Sequence, residues 1–162
     1  MADAPSTGPE DAADAVLSGI LTPSGHGLRV RVYFEDTDFS GSVYHASYLR
    51  FLERGRSDFL RLLGVHHTVL AADGLVFAVR RMAIEFDRPA RIDDVVEVRT
   101  SVEELGGASV TLRQGIVRGA DVLLRATVTV ALLSMDGRVK RFPASIRQVL
   151  DRQLTTSAVT LR

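Results

Sequence analysis

The stretch that decides the fold is Val32-Tyr-Phe-Glu-Asp-Thr-Asp-Phe-Ser-Gly-Ser-Val-Tyr-His-Ala-Ser-Tyr-Leu49. It passes from an alternating strand into a polar turn that contains acids and a glycine, and it opens a long helix after a Tyr-His pair. The turn delivers a carboxylate, Asp36 or Asp38, shortly before a helix N-terminus, whose free amides and dipole attract developing negative charge. A base or nucleophile beside such an oxyanion site is the minimum equipment for acyl transfer.

Two different periodicities flank this turn. Residues 28–35 alternate, which predicts a half-buried strand whose inner face carries Leu28, Val30, Val32 and Phe34. From about His45 to Leu63 the period becomes helical, with a broad apolar stripe that Gly64 ends. Gly55 weakens a helix by roughly 1 kcal/mol relative to Ala, so its presence there predicts close approach to a sheet.

The remaining chain is typical of a strand meander. Short turns, most with glycine, separate four predicted strands at about 75–87, 94–105, 108–118 and 121–135. Pro143 suits the first turn of a short C-terminal helix that ends near Leu150. One strand, one long apolar helix and four antiparallel strands predict an α+β layer.

Length and composition indicate one domain. At 162 residues the chain is too short for two ordinary domains, and we place the boundaries of the domain at 28–152. The first 27 residues, rich in Ala, Pro, Ser, Gly and acids, are predicted to form a flexible tail, as are residues 153–162. The N-terminal segment lacks the basic start and long apolar run of a signal peptide.

Charge and cysteine content exclude several function classes. The formal net charge of zero argues against a nucleic acid or a membrane surface as the main partner. No apolar run approaches the ~18 residues that span a bilayer. The absence of cysteine excludes disulfides and thiolate chemistry and fits a reducing compartment, so we expect a cytoplasmic protein.

The quoted stretch resembles the hotdog-fold acyl-CoA thioesterases, in the branch associated with the Tol-Pal envelope system (YbgC-type, similar to 4-hydroxybenzoyl-CoA thioesterase). The resemblance extends over roughly residues 28 to 150. Its matching residues are Arg31 to Asp38, Gly41, Val43 to His45, Tyr48 to Arg54, Phe77 to Met82, Pro89 to Asp94 and Pro143 to Ile146. It implies a hotdog fold, in which a five-stranded antiparallel sheet wraps one long central helix. It also implies a homo-oligomer built from dimers, most simply a tetramer.

The resemblance assigns the chemistry to Asp38, as nucleophile or general base. From spacing alone a turn-forming role is equally open for Asp38, and for Asp36 that role is favoured. The backbone N–H at His45 is implied to point at the thioester oxygen, while a role for its imidazole stays open. Gly41 is the expected hinge that lets the loop approach substrate. Tyr44 either lines the acyl pocket or is a simple core aromatic.

Four arginines are candidates for binding the phosphates of CoA, because a guanidinium binds oxyanions bidentately. They are Arg80, Arg81, Arg88 and Arg91. Solvated charges at strand ends are an equal alternative. Glu53, in the long helix, is expected to pair locally with Arg50, Arg54 or Arg56 rather than to act in a site. Asp36, Asp38 and His45 make only a weak metal-ligand pattern, so no metal or other cofactor is expected.

Three functions remain open. The first is hydrolysis of acyl-CoA to a free acid and CoA. The second is an acyl-binding or scaffold role linked to acyl carrier protein or the cell envelope, with weak hydrolysis incidental. The third is a hotdog dehydratase or hydratase, which is disfavoured because a carboxylate occupies the thioesterase motif position.

Overall fold

The computed structural model describes residues 16–160. Among these residues, six strands and three α-helices of six residues or more follow one another. They are β1 (Ile20–Thr22), β2 (Gly25–Arg31), α1 (His45–Leu62), α2 (His67–Ala72), β3 (Leu75–Phe86), β4 (Val95–Leu105), β5 (Ser109–Arg118), β6 (Asp121–Ser134) and α3 (Ala144–Thr160). The four meander strands and the long helix thus lie within one or two residues of the predicted bounds. No helix among these residues is both long and apolar enough to cross a membrane.

All strands form one antiparallel sheet in the order β1-β2-β4-β5-β6-β3. The sheet therefore has six strands in place of the predicted five, because the short strand β1 pairs with β2. Strand β3 forms the opposite edge and pairs only with β6 among the described residues. We call the face of the sheet that carries α1 the inner face, and the opposite one the outer face.

The predicted N-terminal tail is wrong for residues 20–27, which form β1 and the start of β2. His26 within this hairpin is 3% exposed, and its Nε2 lies 2.7 Å from Asp58 Oδ2 on α1. The N–H of Gly19 donates to the same carboxylate oxygen at 2.7 Å. These contacts tie the hairpin to the central helix, and the rest of the predicted tail, residues 1–15, lies outside the described residues.

Helix α1 packs on the inner face against β2, β4 and β5. Its fully buried side chains include Phe51, Leu52 and Phe59. A Cβ added to Gly55 would lie 2.6 Å from Val98 Cγ1, which confirms the expected close approach of the helix to the sheet.

Two boundaries differ from the prediction. The first strand ends at Arg31 rather than Glu35, and Phe34, 81% exposed, enters a 3-10 turn. The C-terminal helix does not stop near Leu150 but continues to Thr160, so the predicted C-terminal tail is wrong up to that residue. Phe142, Ile146 and Leu150 are buried in the core, which anchors this helix to the body of the domain.

Candidate active site

The loop between β2 and α1 is shaped by Asp36. Its side chain is 3% exposed, and its Oδ2 accepts the N–H of Tyr33 at 2.9 Å. Its main-chain carbonyl accepts the N–H of Tyr44 at 2.8 Å, which brings the end of the loop back to its beginning. Asp36 therefore has the turn-forming role that was favoured for it.

Asp38 is exposed on the same loop. Its Oδ1 accepts the N–H of Ser40 at 2.8 Å and the hydroxyl of Ser40 at 2.6 Å. These two bonds, together with the nearby His45, hold the pKa of the Asp38 carboxyl below its ordinary value. No other hydrogen bond reaches the carboxylate from the described residues, so the second oxygen, Oδ2, is available to a substrate or a water molecule.

Helix α1 begins at His45 without a side-chain cap from Tyr44, the residue before it. The first N–H of the helix with an acceptor in residues 16–160 is that of Ser47, which donates to the Tyr44 carbonyl at 2.8 Å. The amides of His45 and Ala46 are therefore available to an oxyanion. The rings of Tyr44 and His45 lie 4.4 Å apart, and both side chains are exposed.

Gly41 lies at the tip of the loop with φ +78°, a conformation that glycine adopts without strain. A Cβ at this position would lie 3.9 Å from Nη1 of Arg91, which places that guanidinium beside the loop. Ser42 forms an isolated β-bridge with Arg91, so the contact also involves the main chain.

A second loop, between β3 and β4, supports the first. The carbonyl of Ala90 accepts the N–H of Val43 at 2.9 Å, and the N–H of Ala90 donates to the hydroxyl of Tyr48 at 2.8 Å. The peptide units on both sides of Ala90 are thereby held between the β2–α1 loop and α1. No signal in the sequence predicts this contact of Tyr48, because an aromatic residue at helical spacing does not reveal what its hydroxyl binds.

Asp94 fixes the same second loop from the other side. Its Oδ2 accepts the N–H of Arg91 at 2.8 Å and Nη1 of Arg118 at 2.6 Å. Partial burial tends to raise the pKa of Asp94, but these two donors outweigh that effect and lower it. Neither Asp94 nor Arg118 was predicted as a site residue, since the bond between them joins residues 24 positions apart in the sequence.

The four candidate arginines are not gathered at one place. Arg91 alone among them contacts the β2–α1 loop within residues 16–160. Arg88 is engaged in an ion pair with Asp121 at 2.6 Å. Arg81 lies opposite Thr129 on the outer face, and Arg80 is the extra residue of a β-bulge in β3.

Glu53 has the local partner expected for it. Its Oε2 lies 2.6 Å from Nη2 of Arg56, and its Oε1 accepts the hydroxyl of Ser57 at 2.7 Å. No group of three or more metal-ligating side chains lies close together in the part of the chain that the structure describes.

Comparison with known proteins places this geometry in a wider context. Residues 32–154 match the model of the thioesterase-like superfamily. The chain is 40% identical over 130 residues to the acyl-CoA thioesterase YbgC of Haemophilus influenzae, an alignment that covers 78% of this chain and 95% of that protein. It is 44% identical over 95 residues to the acyl-CoA thioester hydrolase YbgC of Escherichia coli O6:H1, covering 59% of this chain and 71% of that one. A solved structure of a probable thioesterase from Bartonella henselae is 46% identical, with a TM-score of 0.71 and coverage of 73% of this chain and 98% of that chain.

Proposed function

Because the chain belongs to the thioesterase-like superfamily, we propose that it hydrolyses acyl-CoA to a free acid and CoA, with Asp38 as the group that carries the chemistry. The observation that supports this most directly is the exposed Asp38 carboxylate beside the uncapped start of α1. One carboxylate is sufficient for a thioester, since a thiolate leaves far more readily than an alkoxide does.

The reaction needs two groups that this loop supplies. Asp38 either attacks the carbonyl carbon directly or removes a proton from the water that does so. Negative charge then develops on the carbonyl oxygen, where the amides of His45 and Ala46 stabilise it. Collapse of this intermediate breaks the carbon–sulfur bond, releases the thiolate of CoA and, after hydrolysis of any acyl-enzyme, gives the free acid.

Arg91 is the arginine best situated to bind a phosphate of CoA. Its guanidinium lies beside Gly41, and its main chain is held by Ser42 and Asp94. A backbone fixed in this way lowers the entropic cost of positioning a long side chain. Arg80, Arg81 and Arg88 are assigned a secondary part, because they lie away from the loop or already have a carboxylate partner.

We also propose that the protein is a homo-oligomer in the cytoplasm. Strand β3 is a twelve-residue edge strand, and pairing with the β3 of a second copy would satisfy its free main-chain groups. Dimers formed in this way would assemble further into tetramers. The cytoplasm is the reducing compartment that a chain without cysteine fits.

The test is a panel of purified acyl-CoA substrates, from short to long chains and including aryl-CoAs, assayed for release of free thiol. Hydrolysis of some members at enzymatic rates supports the proposal. If every member binds and none is turned over, the proposal fails, and an acyl-binding or scaffold role linked to acyl carrier protein becomes the better reading.

A further inference from the structure

Beside α1, part of the inner face of the edge strand β3 is uncovered, from Phe86 to Phe77, and we call this strip the channel. Helix α1 packs on β2, β4 and β5, and it leaves much of the inner face of β3 uncovered. Val79 and Phe86, both on this face, are 49% and 52% exposed, although they pair with buried residues of β6. Exposed apolar side chains in a row are typical of a binding groove.

One end of this channel lies at the candidate active site. The rings of Phe86 and Tyr48 are 5.7 Å apart, which places the end of β3 beside the first turn of α1, next to His45. The other end lies at a cavity that Phe77 and Leu60 both line. The channel therefore follows α1 from its N-terminus towards its C-terminus.

The helix presents one stripe of side chains to the channel. Glu53, Arg56 and Leu60 line the cavity, and their spacing of three and four residues places them on one face. Continued towards the N-terminus, the same face passes through Leu49, which is 40% exposed, to His45. An extended acyl chain whose carbonyl lies at the helix start would thus meet Leu49 first and Glu53 later.

The cavity at the far end has a volume of about 70 Å³, enough for the last atoms of such a chain. Most of its lining is apolar, from Leu60, Phe77, Val79, Val110, Leu112 and Val130. Its polar lining consists of Ser57, His67 and the pair of Glu53 and Arg56. The charged groups of this pair are 2.6 Å apart.

This ion pair is built into the fold. Arg56 is 6% exposed, and its Nη1 donates to Oε1 of Gln114 at 2.9 Å, while Gln114 is itself held by the carbonyl of Leu52 at 3.0 Å. The Glu53 side chain keeps 56% of its surface exposed. A methyl group placed against it would remove water from the carboxylate and offer no hydrogen bond, whereas a hydroxyl group would replace the water.

We propose that Glu53 and Arg56 form the distal end of the acyl site and select acyl groups that carry a hydrogen-bonding substituent at the far end of the chain. This inference rests on the proposed hydrolysis of acyl-CoA and adds the class of acyl group. The helix rise sets the reach, because Glu53 follows His45 by eight residues, or about 12 Å. Since helix side chains lean towards the N-terminus, a chain somewhat shorter than this reaches the carboxylate.

The experiment compares matched pairs of CoA thioesters that differ only in the terminal group, methyl against hydroxyl, for the hexanoyl, octanoyl and decanoyl chains. If the distal end of the acyl site were apolar, the hydroxylated substrate would be disfavoured by about 10–100-fold in kcat/KM. We expect the hydroxylated partner to equal or exceed the methyl-terminated one for at least one chain length. A preference for methyl of tenfold or more at all three lengths overturns the inference, while turnover of either series still supports the proposed hydrolysis.

Variants at Glu53 test whether the ion pair causes this preference between terminal groups. Glu53→Met keeps the length of the side chain and removes its polar group. It should therefore shift the ratio of the two kcat/KM values, hydroxylated to methyl-terminated, at least tenfold towards the methyl-terminated substrate. Glu53→Gln keeps hydrogen-bonding capacity and should retain the wild-type ratio. Glu97→Met is the matched control, because Glu97 pairs with Arg99 on the outer face at 2.8 Å.

Three results would count against this assignment. One is a ratio that Glu53→Met leaves unchanged in a protein of wild-type melting temperature, as expected if a second copy of the chain fills the channel. Another is an equal shift in Glu97→Met. The third is loss of turnover on every substrate in folded Glu53→Met and Glu53→Gln, which would place Glu53 in the chemistry itself.

Discussion

Asp36 buries its carboxylate against the amide of Tyr33, whereas Asp38, two residues later, keeps its carboxylate exposed. The difference follows from the direction of each side chain in one tight loop, closed by the bond from Tyr44 to the Asp36 carbonyl. The buried carboxylate fixes the loop, and the exposed one is the group proposed to react. Its lowered pKa keeps Asp38 ionised throughout the neutral range.

Replacing Asp38 with Asn is expected to lower kcat by on the order of 10² or more, because the amide has neither the charge nor the basicity of the carboxylate. The KM and the melting temperature should change little, since Asn can still accept the bonds from Ser40. Steady-state kinetics and a thermal melt check this, with the exposed Asp73→Asn as the matched control. Retention of more than about a third of the turnover would show that the chemistry lies elsewhere.

His45→Ala should reduce turnover less than Asp38→Asn does. The group proposed to stabilise the oxyanion is the backbone amide at this position, a kind of donor worth roughly 2.7–4 kcal/mol. A side-chain change does not remove that amide. Comparison of kcat for the two variants distinguishes the backbone amide from the imidazole. A folded His45→Ala protein without activity would mean that the imidazole takes part directly.

At the scale of the elements, one carboxylate joins the N-terminal hairpin to the central helix. Asp58 on α1 accepts the His26 ring of β2 and the Gly19 amide at its Oδ2, and Arg61 at its Oδ1. Burial would raise the pKa of Asp58, but the three donors outweigh it and hold that pKa below its ordinary value. A lowered pKa means that the ionised carboxylate stabilises the fold at neutral pH, and that this contribution is lost as the pH falls.

Asp58→Asn should therefore destabilise the protein at pH 7 by roughly 1–3 kcal/mol, the usual range for bonds to a charged group. This corresponds to a melting temperature lower by about 2–10 °C. The difference in stability from wild type should begin to narrow as the pH falls to the ordinary pKa of aspartate, where the unfolded chain takes up a proton, and should close below the lowered pKa of the folded Asp58 carboxyl. Thermal melts over a pH series test this, and a gap independent of pH would contradict it; Asp73→Asn serves again as the control.

At the scale of the whole molecule, assembly and substrate binding depend on local features of the surface rather than on the overall charge. The formal net charge is zero, so no global field attracts an anionic substrate. The edge strand β3 combines main-chain groups that have no strand partner within residues 16–160 with exposed apolar side chains such as Val79. Both properties lead to predictions about the intact protein.

We expect light scattering to report a dimer or tetramer at micromolar concentration. Pairing of two β3 edges removes unpaired main-chain groups from solvent, and a charge placed on the edge opposes it. Val79→Lys should therefore shift the protein towards monomer. Val95→Lys, at a comparably exposed valine on a strand with neighbours on both sides, should leave the assembly unchanged. A wild-type protein that is monomeric and fully active would refute the proposed assembly.

Recognition of CoA phosphates by a local guanidinium predicts that KM for acyl-CoA rises with ionic strength, since salt screens exposed charges. Arg91→Gln should raise KM and weaken this salt dependence, while Arg99→Gln on the outer face should do neither. An acyl-pantetheine thioester without phosphates should be a poorer substrate. Equal kcat/KM for the two thioesters, with no effect of salt, would instead make acyl carrier protein the better candidate for the carrier.

The sequence by itself determined the elements and the family. Period-two and period-3.6 patterns gave the four meander strands and α1 to within two residues, because side chains on one face of an element share one environment. The motif from Arg31 to His45 indicated the hotdog-fold thioesterases, and the family match over residues 32–154 confirms it. The turn role of Asp36 and the local partner of Glu53 were also predictable, since each depends on neighbours within four residues.

Only the tertiary structure decided what depends on residues far apart in the chain. Residues 20–27 of the β1–β2 hairpin were predicted as a tail because the contacts that hold them involve Asp58, 32 residues after His26. The hydroxyl of Tyr48 finds its partner Ala90 42 residues away, and Gln114 meets Arg56 across 58 residues. The local pattern of apolar residues indicates which face of an element is buried. A hydrogen bond between distant residues depends on how the elements pack, and it therefore produces no periodic pattern in the sequence.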